Sequence, residues 1–162
     1  MPIRMERERI VLPAQRALIV AKQYPEATAY HEAAHAVVAC CLVLKVARIH
    51  IDEHGEGGGT EIECADGLTI IEQVALRVAG MTAQEMSKHE STGSLGQDDN
   101  KRLAILLSGL DECGEEICEK GRSLARRLLG DHNDKVKRIA KELIKHGELS
   151  GGDFALIMRG HL

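Results

Sequence analysis

The sequence predicts an α+β fold that is mostly helical, with a small β-sheet or hairpin. Long segments carry apolar residues at helical spacing, most clearly Ile70, Val74, Val78 and Met81. One short segment, KVARIHID, alternates in polarity and is rich in β-branched residues, which indicates a strand. The chain has 162 residues, the size of one domain, so we expect a single domain over 1–162.

The N-terminal half contains the predicted strands. Residues 1–12 predict an arm or edge strand and 13–23 a helix that begins at a proline, so that 1–24 form an N-terminal arm and helix. A longer helix should begin at Pro25 and end near Leu44. The strand KVARIHID follows it directly. After the glycine-rich turn EHGEGGGT, the segment TEIEC is the candidate return strand of a hairpin.

The C-terminal half reads as helices. The apolar period predicts a helix over about 69–88, followed by the loop STGSLGQDD. The next helix should begin with Asp98 or Asp99 near its N-cap. Two further helices are expected at about 111–129 and 133–146. A short final helix should be capped by Gly152 or Asp153.

Composition excludes several classes of function. The net charge of −4 gives no electrostatic argument for binding nucleic acid. No apolar run approaches the roughly 18 residues of a membrane-spanning helix, and the first residues lack the apolar region of a secretory signal. The five cysteines are an odd number without metal-knuckle spacing, which favours free thiols. We therefore expect a cytoplasmic protein.

The sequence HEAAH contains two candidate metal ligands and a candidate general base. On a helix His31 and His35 lie on one face, one turn apart, so both imidazoles can reach one Zn²⁺. Glu32 can then take a proton from a water whose pKa the zinc lowers, which is the logic of the H-E-x-x-H hydrolases. The alternative is a helix that carries two hydrogen-bonded histidines. The small apolar residues around them favour a shared metal, because buried imidazoles need partners.

A catalytic zinc site needs a third protein ligand, and several residues are candidates. The extended motif with a third histidine fails, because Cys41 occupies that position. Glu53 and Glu56 lie in the glycine-rich turn, whereas a thermolysin-like scheme needs a second helix. Asp98 and Asp99 lie where a loop enters a helix, a position that can be directed inward, although helix capping would explain them equally.

Five segments, in order, resemble the peptidase domain of FtsH-type zinc metallopeptidases. They are AYHEAAHAVVA, VARIHI with GGGTEI, LRVAGMTAQEM, STGSLGQDDNKRLAILL and VKRIAKELIKHGELSGGDF. The resemblance covers roughly 25–157. The first segment is shared by many zinc hydrolases, and the ordered set is much more specific to this family.

The resemblance implies a zinc metallopeptidase. His31, His35 and Asp99 would bind zinc, with Asp98 as the alternative, and Glu32 would be the general base. The substrate would be unfolded or flexible polypeptide. Apart from the resemblance, we expect an extended substrate to pair with the edge of the sheet at 46–51. The sequence contains no nucleotide-binding loop of the family's ATPase module, so hydrolysis would itself be ATP-independent. A separate ATPase or a homo-oligomer would be the partner.

Two rival functions are distinguishable. A deformylase-like amidase also uses an H-E-x-x-H helix, but it needs an upstream cysteine ligand, and no cysteine precedes His31. The second rival is a catalytically silent domain that keeps the fold as a binding or regulatory module. It would follow if the STGSLGQDD loop, longer than the family's, fails to bring an aspartate to the metal.

Overall fold

The computed structural model describes residues 24–53, 57–89, 96–110 and 113–162, and six helices and three strands lie in these ranges. In chain order they are α1 (Glu26–Cys41), β1 (Lys45–Ile51), β2 (Gly58–Glu63), α2 (Ile70–Ser87), α3 (Gln97–Ser108), α4 (Gly114–Asp131), α5 (Asn133–His146), β3 (Glu148–Ser150) and α6 (Gly151–Met158). The mostly helical α+β class is confirmed. The elements predicted over 1–12 and 13–23 lie outside the described residues.

The three strands form one antiparallel sheet in the order β2-β1-β3. The expected hairpin is formed by β1 and β2, with Ile49 opposite Thr60 and Ile51 opposite Gly58. On the other side of β1, Ile49 lies opposite Leu149 of β3. Strand β1 is therefore central, and both of its edges are paired over 48–50.

Helix α1 lies inside the molecule because its side chains are small. Ala29, Ala33 and Ala36 have no exposed surface, and the helix packs against α2, α5 and the sheet. Small residues allow these neighbours to approach closely, and every residue of the helix from His31 to Ala39 is buried. The two histidines of the motif are therefore carried into the interior.

Helix α2 forms a second wall beside α1, and its start is encoded locally. Thr69 and Glu72 form a capping box, in which the backbone N–H of each donates to the side chain of the other. Helix α4 approaches α2 at Gly121, where a Cβ atom would overlap the side chain of Val74. Helix α2 thus lies between α1 and α4 and packs closely against both.

The C-terminal end differs from the sequence prediction. Residues 148–150 form β3, and α6 is capped by Ser150 rather than by Gly152 or Asp153. Ser150 Oγ accepts a hydrogen bond from the backbone N–H of Asp153 at 3.1 Å, so both predicted caps lie inside the helix. The strand forms because β1 offers it a partner, a tertiary effect that local composition does not encode.

The described residues bear on the expected absence of a membrane-spanning helix and on the expected free thiols. In the four described ranges, no helix is both long enough and apolar enough to cross a membrane. All five cysteines are free thiols, as expected, and Cys64 and Cys113 are exposed.

Candidate metal centre

The HEAAH motif lies within α1 and brings two imidazoles to one point. His31 is 2% exposed and His35 9% exposed. Their Nε2 atoms lie 3.2 Å apart, and the rings meet edge to face with their centroids 4.8 Å apart. Two nitrogen atoms that can bind a metal therefore converge in a buried position.

The other nitrogen of each ring contacts an acceptor on α2. His35 Nδ1 lies 2.8 Å from the Leu76 carbonyl oxygen, and His31 Nδ1 lies 3.5 Å from Gln84 Oε1. A carbonyl oxygen only accepts, so His35 Nδ1 carries the proton and Nε2 of the neutral ring keeps its lone pair. Such partners fix the orientation of metal-binding imidazoles. Gln84 was not predicted from the sequence, because its contact with His31 depends on the packing of α2 against α1.

Asp99 reaches both histidines from the first turn of α3. Its Oδ2 atom lies 2.9 Å from His31 Nε2 and 3.0 Å from His35 Nε2. The residue before the helix, Gly96, has a φ of 88°, a left-handed conformation that glycine adopts without strain. Gly96 is itself buried, so this sharp entry lets α3 begin directly beside α1.

Electrostatic interactions keep Asp99 ionised. Burial raises the pKa of its carboxyl group, but the hydrogen bonds and the charge of the two imidazoles outweigh burial, and the pKa lies well below its usual range. Burial lowers the pKa of His35, whereas the hydrogen bond and charge of Asp99 raise it, and the result is a pKa above the ordinary value. The cluster therefore attracts a cation, whether a proton or a metal ion.

The three converging atoms fit the ligand set of zinc. They lie between 2.9 and 3.2 Å from one another. Tetrahedral ligands at 2.0–2.1 Å from zinc would be about 3.3 Å apart, and imidazole nitrogen and carboxylate oxygen are both ordinary zinc ligands. In the part of the chain that the structure describes, His31, His35 and Asp99 form the group able to hold a metal ion. Three protein ligands leave one position for water or substrate.

The other candidate ligands lie outside this group. Asp98 lines the same cleft but is exposed, and Glu53 is also exposed. Glu56 lies outside the described residues. Neither Asp98 nor Asp99 caps α3 with its side chain, since the N-cap is a glycine. Helix capping therefore does not account for these two aspartates.

Glu32 lies beside the cluster and is covered by β2. It is 6% exposed, and Thr60 Oγ1 lies 3.0 Å from both its Oε2 atom and its backbone oxygen. A Cβ atom at Gly58 would lie 3.0 Å from Glu32 Cγ, so glycine allows the strand to approach. Neither contact was predicted from the sequence. The run GGGT was the available signal, because glycine inside a strand marks close approach.

A cleft of about 310 Å³ opens onto the three candidate ligands and Glu32. Residues of α1, β2, α2 and α3 line it, including Thr60 from the strand and Arg77 and Arg102 from the helices. Its volume is at the lower end of the range for ligand pockets. Four elements that are distant in sequence therefore meet at one accessible cavity.

The strand that borders the cleft is β2, so the expectation of substrate pairing at 46–51 is wrong. That segment belongs to β1, which lies between β2 and β3. Among the described residues, the second edge of β2 pairs with no strand, and Gly58, Gly59 and Thr60 line the cleft. The sequence identified the hairpin but not the third strand that covers the far edge of β1.

No model of a known protein family matches the sequence, and no curated protein matches it.

Proposed function

We propose that this protein is a zinc-dependent metallopeptidase that hydrolyses peptide bonds in unfolded or flexible polypeptide without itself using ATP. One observation carries the proposal: ligand atoms of His31, His35 and Asp99 lie within 3.2 Å of one another, beside the buried Glu32. The choice of peptide bonds over other hydrolysable bonds is supported by the resemblance to FtsH-type peptidases.

His31, His35 and Asp99 would hold the zinc ion. When bound, zinc would polarise the substrate carbonyl and lower the pKa of a water at the site toward about 7. Contacts within the protein hold the two imidazole rings in orientation without the metal. The Leu76 carbonyl and Gln84 orient the two rings, and the surrounding α1 and α2 keep them buried.

Glu32 is the proposed general base. Its carboxylate would take a proton from the attacking water and deliver it to the nitrogen of the leaving amine. The Thr60 hydroxyl lies 3.0 Å from both Oε2 and the backbone oxygen of Glu32, so it can donate to this carboxylate and restrict its rotation. A fixed carboxylate needs less reorganisation during the proton transfers.

Strand β2 is the proposed guide for the substrate. An extended peptide can add to a free sheet edge through main-chain hydrogen bonds, and β2 borders the cleft along the residues that cover Glu32. Such pairing requires an extended chain, which restricts substrates to unfolded or flexible segments. For folded substrates, the proposed partner is a separate ATPase or an assembly of this chain.

The first experiment measures zinc per chain by elemental analysis. We expect one zinc ion per chain in the wild type and its loss in Asp99→Ala. Asp98→Ala is the matched control, because it removes a neighbouring carboxylate that lies outside the ligand group. Absence of zinc from the wild type, even after incubation with the metal, would reject the proposal.

The second experiment measures cleavage of an unfolded, fluorescently labelled polypeptide. Glu32→Gln should retain zinc and lose activity by roughly 10²–10⁴-fold, the usual contribution of a general base. Full zinc occupancy without Glu32-dependent cleavage would reject the peptidase and favour a silent binding module.

A further inference from the structure

Two arginine side chains line the cleft that contains the candidate metal ligands. Arg77 on α2 is half-buried and follows Leu76, whose carbonyl oxygen contacts His35. Arg102 on α3 is three residues after Asp99, so these two residues share a face of the helix. Both cations therefore border the position where a substrate would meet the proposed zinc ion.

Neither guanidinium group forms an ion pair or a hydrogen bond with any residue that the structure describes. Other arginines are paired: Arg48 Nη2 lies 2.8 Å from Glu148 Oε2, and Arg126 Nη2 lies 3.4 Å from Glu85 Oε2. Each guanidinium at the cleft therefore keeps up to five N–H donors available for a ligand.

The acidic groups of the cleft are largely occupied elsewhere. Asp99 contacts the two histidines, and Glu32 accepts a hydrogen bond from β2. Glu61 Oε1 lies 3.4 Å from Arg48 Nη1. Asp98 also lines the cleft, four residues before the arginine of α3, but no ion pair joins it to either guanidinium group in the described residues. Arg77 and Arg102 therefore have no ion-pair partner among the described residues, although more carboxylates than guanidinium groups line the cleft.

We infer that the cleft recognises a carboxylate of its polypeptide substrate through Arg77 and Arg102, an inference that rests on the proposed peptidase function. Arg77 is half-buried and Arg102 is exposed, and a substrate bound in the cleft would take part of each guanidinium group out of water, where an unpaired charge is costly. A substrate carboxylate supplies the matching acceptor and can bind a guanidinium through two parallel hydrogen bonds. The substrate class is acidic polypeptide.

The preference for an acidic residue should depend on its position in the substrate and not on the total charge of the substrate. The chain carries a net charge of −4, so its overall field does not attract acidic segments. Recognition must then come from direct contact at the cleft. A single Asp or Glu near the cleaved bond, or a free chain end, should matter more than the net charge of the peptide.

The test compares zinc-loaded wild type with Arg77→Gln, Arg102→Gln and the double variant. The substrates are extended peptides that carry Glu or Gln at one position, which is moved through the sites flanking the cleaved bond. We expect kcat/KM to be roughly tenfold higher for Glu at one position, as for a hydrogen bond to a charged group. The ratio should fall to near one in the double variant. Arg127→Gln, an exposed arginine of α4 outside the cleft, should keep it.

Free-acid and C-terminally amidated peptides distinguish the two sources of the carboxylate. A loss of rate on amidation, with no effect of internal Glu, would assign it to the chain end. A position-specific Glu effect would assign it to a side chain. Equal rates for Glu and Gln, and for free acid and amide, would overturn the inference while leaving the peptidase proposal intact.

A binding assay keeps the two proposals separable. If wild type cleaves none of these peptides, the peptidase proposal fails. Fluorescence anisotropy of the labelled peptides on zinc-loaded protein then measures the carboxylate preference directly. Roughly tenfold tighter binding of the Glu or free-acid peptide, lost in the double variant, would support the inference. Equal binding would overturn it.

Discussion

Gly80 on α2 lies against the imidazole of His31, and an alanine there tests the geometry of the candidate metal centre. A Cβ atom at Gly80 would lie 2.5 Å from His31 Cδ2 and closer still to Cε1 and Nε2. Non-bonded carbon atoms stay about 3.5–4.0 Å apart, so the ring must move by about 1 Å. It has little room to do so, because it is 2% exposed and its Nε2 lies 2.9 Å from Asp99.

Two terms set the effect of Gly80→Ala on metal-free stability. Alanine is favoured over glycine in a helix by about 1 kcal/mol, and overpacking a core costs about 1–3 kcal/mol. The free energy of unfolding of the metal-free protein should therefore fall by up to about 2 kcal/mol. The larger effect concerns zinc. When the zinc concentration is a hundred times its dissociation constant, binding should raise the free energy of unfolding by about 2.7 kcal/mol. For a domain of this size, that corresponds to an increase of about 5–11 °C in Tm. The variant should lose most of that increase.

Thermal unfolding with and without zinc, together with zinc content, measures both effects. Gly130→Ala on α4 is the matched control, because nothing lies within 4 Å of a Cβ atom built there. The control should keep the zinc-dependent increase in Tm. Wild-type zinc stoichiometry and a full zinc-dependent increase in Gly80→Ala would refute the reasoning that close packing positions His31 for the metal.

Three further predictions test other parts of the structure. Thr60→Val should lower kcat about tenfold at unchanged zinc content, and Thr60→Ser should restore it; an unchanged kcat in the valine variant would show that the hydroxyl does not position Glu32. Val43 is 92% exposed with a φ of 63°, so Val43→Gly should raise the free energy of unfolding by about 1 kcal/mol in urea denaturation, and a decrease would contradict the strain. Because the pKa of His35 is raised above 6.5, metal-free protein should gain stability below that pH and lose it as pH rises through the folded pKa. Protons should correspondingly weaken zinc binding as pH falls, and a chelator-competition titration that shows constant affinity between about pH 6 and 8 would contradict this.

Local patterns predicted most of the elements. The helix around HEAAH, the strand after it and the long helix with the Thr69 start are encoded by spacing, β-branching and capping, which act within a few residues. The order of the sheet was not predictable in this way. Strand β3 has three residues between glycines, and the sequence analysis predicted no strand there; it forms because β1 pairs with it.

In the candidate site too, contacts within one helix were predictable from the sequence, whereas contacts between elements were not. The HEAAH spacing placed His31 and His35 together because a helix turn does so by itself. The resemblance to FtsH-type peptidases selected Asp99 as the third ligand, with Asp98 as the alternative. Asp99 is the one that contacts both rings, although its role as a metal ligand remains a prediction. The contacts of Thr60 and Gln84 arise only when β2 and α2 pack against α1, so no spacing rule could reveal them.

Helix α3 has one buried side chain, Leu103, and packs chiefly against α2. A metal ion shared by His35 and Asp99 would join this helix to α1 across 64 residues of sequence. In the chain-entropy treatment, a covalent link across a loop of that length is worth about 4 kcal/mol. The ion would then act as a reversible cross-link, and chelation should accelerate amide hydrogen exchange in α3 before it does so in α1 or α2. If Asp99 binds the proposed metal ion, the helix that supplies it would be the part of the fold most dependent on that ion.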